Sequence, residues 1–189
     1  MLIECIPNIS EGRDPGAIDR ISSAVSSYAG VELLHRDIGF DAHRTVLTMA
    51  GDEPESLKNA VVSMYKMALE CIDMRQHHGP HPRIGAVDVC PFVPLTEESR
   101  PFALKLAIAV AEEISRLDIP VFLYEQSASR DYRRKLYDIR RGEFEGLEDK
   151  LREPLWSPDF GPLSPHPTFG ASVVGVRELL VAFNITLST

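Results

Sequence analysis

Residues 75–94 read RQHHGPHPRIGAVDVCPFVP. The first half of this stretch is not a helix. Pro80 and Pro82 each fix φ and remove a backbone donor, and each pushes the residue before it, Gly79 or His81, out of the helical region. The second half runs on as AVDVCPFVPL, an apolar, β-branched segment that reads as a strand. A stiff loop therefore feeds a strand, and it carries His77, His78 and His81 between Arg75 and Arg83. Histidine exchanges protons near neutral pH, and ionisable side chains on a loop beside a rigid strand are a common setting for chemistry. Three readings are open on these residues alone: a solvated histidine-rich loop, a metal site, and a proton-transfer site. The spacing of His77 and His81 suits two metal ligands on a helix, but the prolines forbid that helix. No Cys or carboxylate close in sequence completes a tetrahedral set.

Outward from that stretch, the chain alternates strand and helix patterns. A first strand covers about residues 2–7 and ends at Pro7-Asn8. Asp14-Pro15 supplies an N-cap oxygen and a first-turn proline. Ile18, Ile21, Val25 and Tyr28 then mark one helix face to about Ala29, closed by Gly30. VELLHRDIG (31–39) and HRTVLTMAG (43–51) read as a hairpin turned at Asp41 and Ala42. The next helix buries Leu57, Ala60, Val61, Met64, Met67, Ala68 and Cys71, with the methionines as core filler. With the strand near Val87–Leu95 the order is β-α-β-β-α-β. This predicts an α+β fold with a ferredoxin-like βαββαβ core, a mainly antiparallel sheet and both helices on one face.

Beyond it a third helix runs through Phe102, Leu106, Ala107, Val110, Ile114 and Leu117, and VFLYE (121–125) reads as a short strand. Residues 129–151 are charged, mainly helical and broken near Gly142, and are read as a solvated face. Residues 154–167 hold five prolines in fourteen positions, with Trp156 and Phe169 near the two ends. A long irregular loop inside a compact domain is more often functional than accidental. RELLVAFNITL (177–187) reads as the final strand.

The 189 residues predict one domain, with 44% hydrophobic and 25% charged residues. A formal net charge of −8 argues against nucleic acid and anionic membrane as partners, yet leaves room for a local basic pocket. The apolar run near Phe102–Ala111 is interrupted by Lys105 and is too short to span a bilayer. MLIECIPNIS lacks a basic n-region, so no signal peptide is expected. Cys5, Cys71 and Cys90 read as reduced thiols of a cytoplasmic protein.

Several runs together resemble glutamate formiminotransferase, in the N-terminal subdomain of its transferase region. They are ECIPNISEG (4–12), RTV (44–46), Ile72–Pro94 with GPHPRIGAVDVCPF, RRGEFEGL (140–147), PDFGP (158–162), HPTFGAS (166–172) and VAFNITL (181–187). They cover nearly the whole chain in the family's order. The resemblance implies transfer of a formimino group from N-formiminoglutamate to N5 of tetrahydrofolate, in histidine breakdown. Folate would be a co-substrate, and no metal is expected. The family's catalytic histidine falls on His81. Its folate-contacting loop falls on Gly161, Pro162, Leu163, Ser164, Pro165, His166, Pro167, Thr168, Phe169 and Gly170. Its fold pairs two α/β subdomains around a folate tunnel, so residues 1–189 are expected to form one N-terminal-subdomain-like domain without the second. The missing wall would then come from a homodimer or a separate second-subdomain chain. A non-catalytic folate-binding or partner-binding role is the alternative. The chain departs from the family at His43, where asparagine is expected, and at Phe169, where some members have tryptophan; an aromatic is kept there for stacking.

The implied reaction needs a group that takes the N5 proton and returns one to the leaving nitrogen, a task for a histidine. His81 is the expected acid/base. A carboxylate should orient it, with Asp37 first and Asp88 second. Arg44 and Arg83 are the expected carboxylate-binding arginines. Asn8, in the loop after the first strand, and Asn184 are candidate polar contacts.

Overall fold

A computed structural model describes residues 2–180 of the chain. The first strand is split into β1 (Ile3–Cys5) and β2 (Asn8–Ile9). Pro7, between them, has no N–H to give. The ladder is kept by Ile6 N–H donating to Pro91 O at 3.0 Å and Leu47 N–H to Pro7 O at 3.0 Å. Helix α1 (Pro15–Ser26) starts as its sequence demands, with the Asp14 carboxylate accepting from the N–H groups of Gly16 and Ala17. The hairpin is β3 (Val31–Gly39) and β4 (Arg44–Gly51). Helix α2 (Pro54–Cys71) and β5 (Val87–Pro94) follow, then α3 (Arg100–Ser115) and β6 (Val121–Glu125). Two short helices, α4 (Leu136–Arg140) and α5 (Leu147–Arg152), precede β7 (Ser172–Val176).

The fold is α+β, and its sheet is mixed. β1 and β2 lie end to end between β4 and β5, antiparallel to both, and β3 pairs antiparallel with β4. Beyond β5 the sheet turns parallel, with β7 between β5 and β6. The sheet is thus antiparallel at one end and parallel at the other. Helices α1, α2 and α3 share one core with Ile3, Ile9, Leu47, Met49, Cys90, Phe92 and Val174. The expectation of helices on one face holds only for that layer. On the opposite face, Ile139 of α4 and Leu147 and Leu151 of α5 pack on Val89, Phe122, Tyr124 and Val173. Parallel strands are buried on both sides, and every residue of β7 is buried. The antiparallel half has no such cover, and β4 alternates buried and half-buried residues.

Two further expectations change. The last strand among the described residues is Ser172–Val176, and residues 177–180 are irregular; the rest of the expected strand, with Asn184, lies outside the described residues. The segment 129–151 is more than a solvated face. Arg133 is fully buried and Lys150 nearly so. The Arg133 guanidinium lies over the rings of Phe122, Tyr132 and Trp156 and pairs with Asp159. Lys150 Nζ donates to the carbonyls of Asp138, Ile139 and Arg141, capping the end of α4.

Candidate active site

The open face of the antiparallel half carries a groove of about 410 Å³. Register decides which side chains reach it, because directly opposed residues share a face. Asn8 faces Val46 on one side and Val89 on the other. Asp37 faces Val46 from the far side. Asn8, Arg44 and Val46 therefore line the groove from below, and His81, Arg140 and Arg177 line it from the loops.

His81 arrives on a loop pinned at several points. Gly79 packs so closely on the β3–β4 turn that a Cβ would sit 2.8 Å from Ala42 O. His43, at a left-handed φ of 51° in that turn, stacks on His77 with ring centroids 4.2 Å apart. His43 Nδ1 bonds the His78 carbonyl at 3.0 Å and its Nε2 lies 3.1 Å from Glu11 Oε1. His77 Nε2 donates to His43 O at 2.9 Å, while His77 Nδ1 accepts from Arg83 Nε at 3.1 Å. Both nitrogens of His77 are thus occupied, which leaves none for a metal. Arg83 is buried, and its guanidinium is held by Glu143 at 2.7 Å and Glu145 at 2.7 Å. The structure makes it a brace between this loop and the segment after α4, outside the groove.

His81 Nε2 takes a hydrogen bond from Arg44 Nη1 at 2.8 Å. Arginine only donates, so Nε2 is the unprotonated nitrogen and the neutral ring carries its proton on Nδ1. Burial, and then the charges of Arg140 and Arg44, push His81 down to about 4. It is a neutral imidazole at pH 7. Among the described residues no carboxylate is hydrogen-bonded to it: Asp37 is exposed, and no hydrogen bond joins it to His81. Asp88 is buried and serves another partner. Its carboxylate takes the N–H of Ile84 at 2.8 Å and Arg140 Nε at 2.9 Å. Burial pushes the Asp88 carboxyl up, against the pull of Arg140. Arg140 was not singled out from the sequence; the one signal for it was its place at the head of RRGEFEGL.

The loop Gly161–Gly170 lies elsewhere. Ser164, Pro165, His166 and Pro167 line a second cavity of about 590 Å³, shared with Met74, Arg75, His77 and His78. The His77–Arg83 loop thus faces both cavities, with His77 and His78 on one side and His81 on the other. His166 and Gly170 close the loop through paired backbone bonds of 2.9 and 2.8 Å. His166 Nδ1 accepts from the N–H groups of Thr168 and Phe169. Gly161 and Gly170 have φ of 90° and 86°, as their turns require. Leu163 is exposed. Phe169 is fully buried against Tyr65, with centroids 5.9 Å apart, so it belongs to the core and offers no surface for stacking a ligand.

Among the described residues no helix is long and apolar enough to cross a membrane, and no three His, Cys, Asp or Glu side chains gather as a metal site.

A family model described as formiminotransferase domain, N-terminal subdomain, matches residues 2–177. The chain is 46% identical over 187 residues to a formimidoyltransferase-cyclodeaminase of Dictyostelium discoideum, covering 98% of this chain and 35% of that one. It is 46% identical over 189 residues to a glutamate formimidoyltransferase of Streptococcus pyogenes serotype M1, covering 100% of this chain and 63% of that one. A glutamate formimidoyltransferase of Thermoplasma acidophilum is 40% identical over 191 residues, with 62% of its length covered. The chain therefore spans between about a third and two thirds of the length of these relatives.

Proposed function

The chain belongs to the formiminotransferase family through its N-terminal subdomain, and from that premise we propose that it moves the formimino group of N-formiminoglutamate onto N5 of tetrahydrofolate in the cytoplasm. The observation that carries this reading is the neutral imidazole of His81 beside Arg44 and Arg140 in one groove. N5 attacks the amidine carbon, and the bond to the glutamate nitrogen breaks from a tetrahedral intermediate. His81 takes the N5 proton and delivers a proton to the leaving nitrogen. Both substrates carry carboxylates, and arginines bind these bidentately. Arg44 and Asn8 contact ligand in this scheme, and Asp37 supplies charge from the same sheet face. Arg83 acts through the loop that it braces. The Ser164–Pro167 wall of the second cavity takes another part of folate. The order β3-β4-β1/β2-β5 supports a ferredoxin-like reading of this half, and we treat residues 1–189 as one such subdomain.

The test is calorimetric titration of the purified chain with tetrahydrofolate, then turnover with N-formiminoglutamate. Binding with turnover is expected. His81→Ala should lower turnover by roughly 10²–10⁴-fold and leave folate binding mostly intact. Unchanged turnover in that variant would remove His81 from the role. A second reading is favoured by the groove's position beside α4, on the part of the sheet face that α4 and α5 leave open among the described residues. Here the chain binds folate but needs a covering surface, from a second copy or a separate second-subdomain chain, to react. Binding without turnover, with gel-filtration mass doubling on folate addition or on supply of that chain, supports this reading over the first.

A further inference from the structure

The groove holds two arginines in different states. Arg140 is fixed from behind, with Nε and Nη2 both donating to the buried Asp88 carboxylate. Arg44 is half-buried, and its one side-chain hydrogen bond among the described residues goes to a neutral acceptor, His81 Nε2. A half-buried guanidinium left without a carboxylate, in a chain of net charge −8, is ready for an anion. A guanidinium–carboxylate fork sets two parallel bonds and a full opposite charge against a single bond to a neutral acceptor. The covered lone pair on Nε2 is also the one that a base would use.

We propose that Arg44 is the docking group for one carboxylate of a glutamate-like dicarboxylate, and that its move from His81 to that carboxylate uncovers Nε2. His81 is then a usable base only when the ligand is seated. This deepens the reading above and rests on the His81 groove being the ligand site. Besides Arg44, the charges that bear most on His81 are those of Arg140, His77 and Arg83; Glu125 is a carboxylate in the same groove lining, and Asp88 is already held by Arg140. An arriving carboxylate offsets part of the positive field that keeps the ring neutral. Arg140 and Arg177 line the same groove and offer the second carboxylate a partner.

The experiment is NMR titration of the ¹⁵N-histidine-labelled chain with glutarate, with propionate at equal ionic strength as the control. The His81 signals are identified by their loss in His81→Gln. Glutarate should move the His81 Nε2 resonance saturably and raise the ring's pKa by about 1–3 units, and propionate should do so far less. In Arg44→Gln the pKa should already be raised without ligand, and glutarate should no longer move it. A His81 resonance that ignores glutarate, or that responds equally in Arg44→Gln, overturns the proposal. Should Arg44→Gln fail to fold, Arg44→Lys keeps the charge without the fork and should need roughly 10-fold more glutarate. An unchanged response in that variant overturns the proposal as well. An intact glutarate response without formimino transfer would count against the function and not against the uncovering. Full transfer by Arg44→Gln would do the reverse.

Discussion

At the scale of single residues, Arg133 shows how far a side chain can depart from its sequence neighbourhood. It sits in a run of exposed charges, yet it is fully buried. It pairs with Asp159 at 3.2 Å and donates to the carbonyls of Leu155 and Ser157. It thereby ties the proline-rich segment to the aromatic face of β6. Arg133→Met should destabilise the fold by about 3 kcal/mol, because Asp159 would keep its burial and lose its countercharge. The Leu123 N–H bond to Asp159 at 2.7 Å limits the loss. Urea unfolding measures it, and a change below about 0.5 kcal/mol, the range of an ordinary surface substitution, would contradict the account.

Among the elements, the decisive junction joins the strand-entry segment Ile84–Ala86 to the end of the proline-rich loop. Ala86 N–H donates to Phe169 O at 2.9 Å and Ala171 N–H to Ile84 O at 3.0 Å. The two backbones run so close that a Cβ on Gly85 would lie 2.0 Å from Ala171 O and 2.7 Å from Phe169 O. Backbone cannot yield as a flexible side chain can. Gly85→Ala should therefore cost about 3 kcal/mol or more. It should also speed amide exchange at Ala86 and Ala171 well before it affects the β3–β4 hairpin. Equal acceleration throughout the sheet would show that this junction is not a local clasp.

For the whole molecule, the shifted groups predict how stability varies with acid. Burial holds His77 and His81 below the ordinary histidine value, His81 at about 4. Burial pushes the Glu11 carboxyl up, but the N–H groups of Arg13 and Asp14 and the His43 ring together bring it below the usual value. The Arg83 guanidinium holds Glu145 down. Each group binds a proton more readily in the unfolded chain, so stability rises with pH wherever these groups titrate. Their contribution is complete above the unfolded histidine value and is lost as pH falls, first through the histidines and then through the carboxylates. Two effects act in the opposite direction: the Asp88 carboxyl, pushed up by burial, binds its proton more readily in the folded chain, and net charge is relieved near the isoelectric point of about 5.2. The melting temperature should nonetheless fall between pH 7 and pH 4.5, and less steeply in His81→Gln, which removes the largest histidine shift. A melting temperature that rises over that interval would show that the opposing effects win.

Much of this chain was legible without its fold. Helices α1, α2 and α3 announce themselves by apolar spacing and, in α1, by a capping aspartate. The β3–β4 hairpin follows from two β-branched runs around a short turn, and Pro80 and Pro82 keep His81 off any helix. Strand β7 was missed because Ser172–Val176 is buried on both faces and shows no alternation, while Gly175 reads as a breaker. Only beside Tyr124 does that glycine make sense, since a Cβ there would lie 2.4 Å from Tyr124 O. The sequence named candidate residues one by one, but it did not give their partners. Arg44, 37 residues away in sequence, covers His81 where a carboxylate was expected. Asp88 supports Arg140, Phe169 is core, and the 161–170 loop faces a different cavity. Local patterns are written by side-chain size, polarity and backbone freedom, which each residue carries with it. Partners are set by strand register and by which loops meet across the sheet, and those are properties of the packed chain alone.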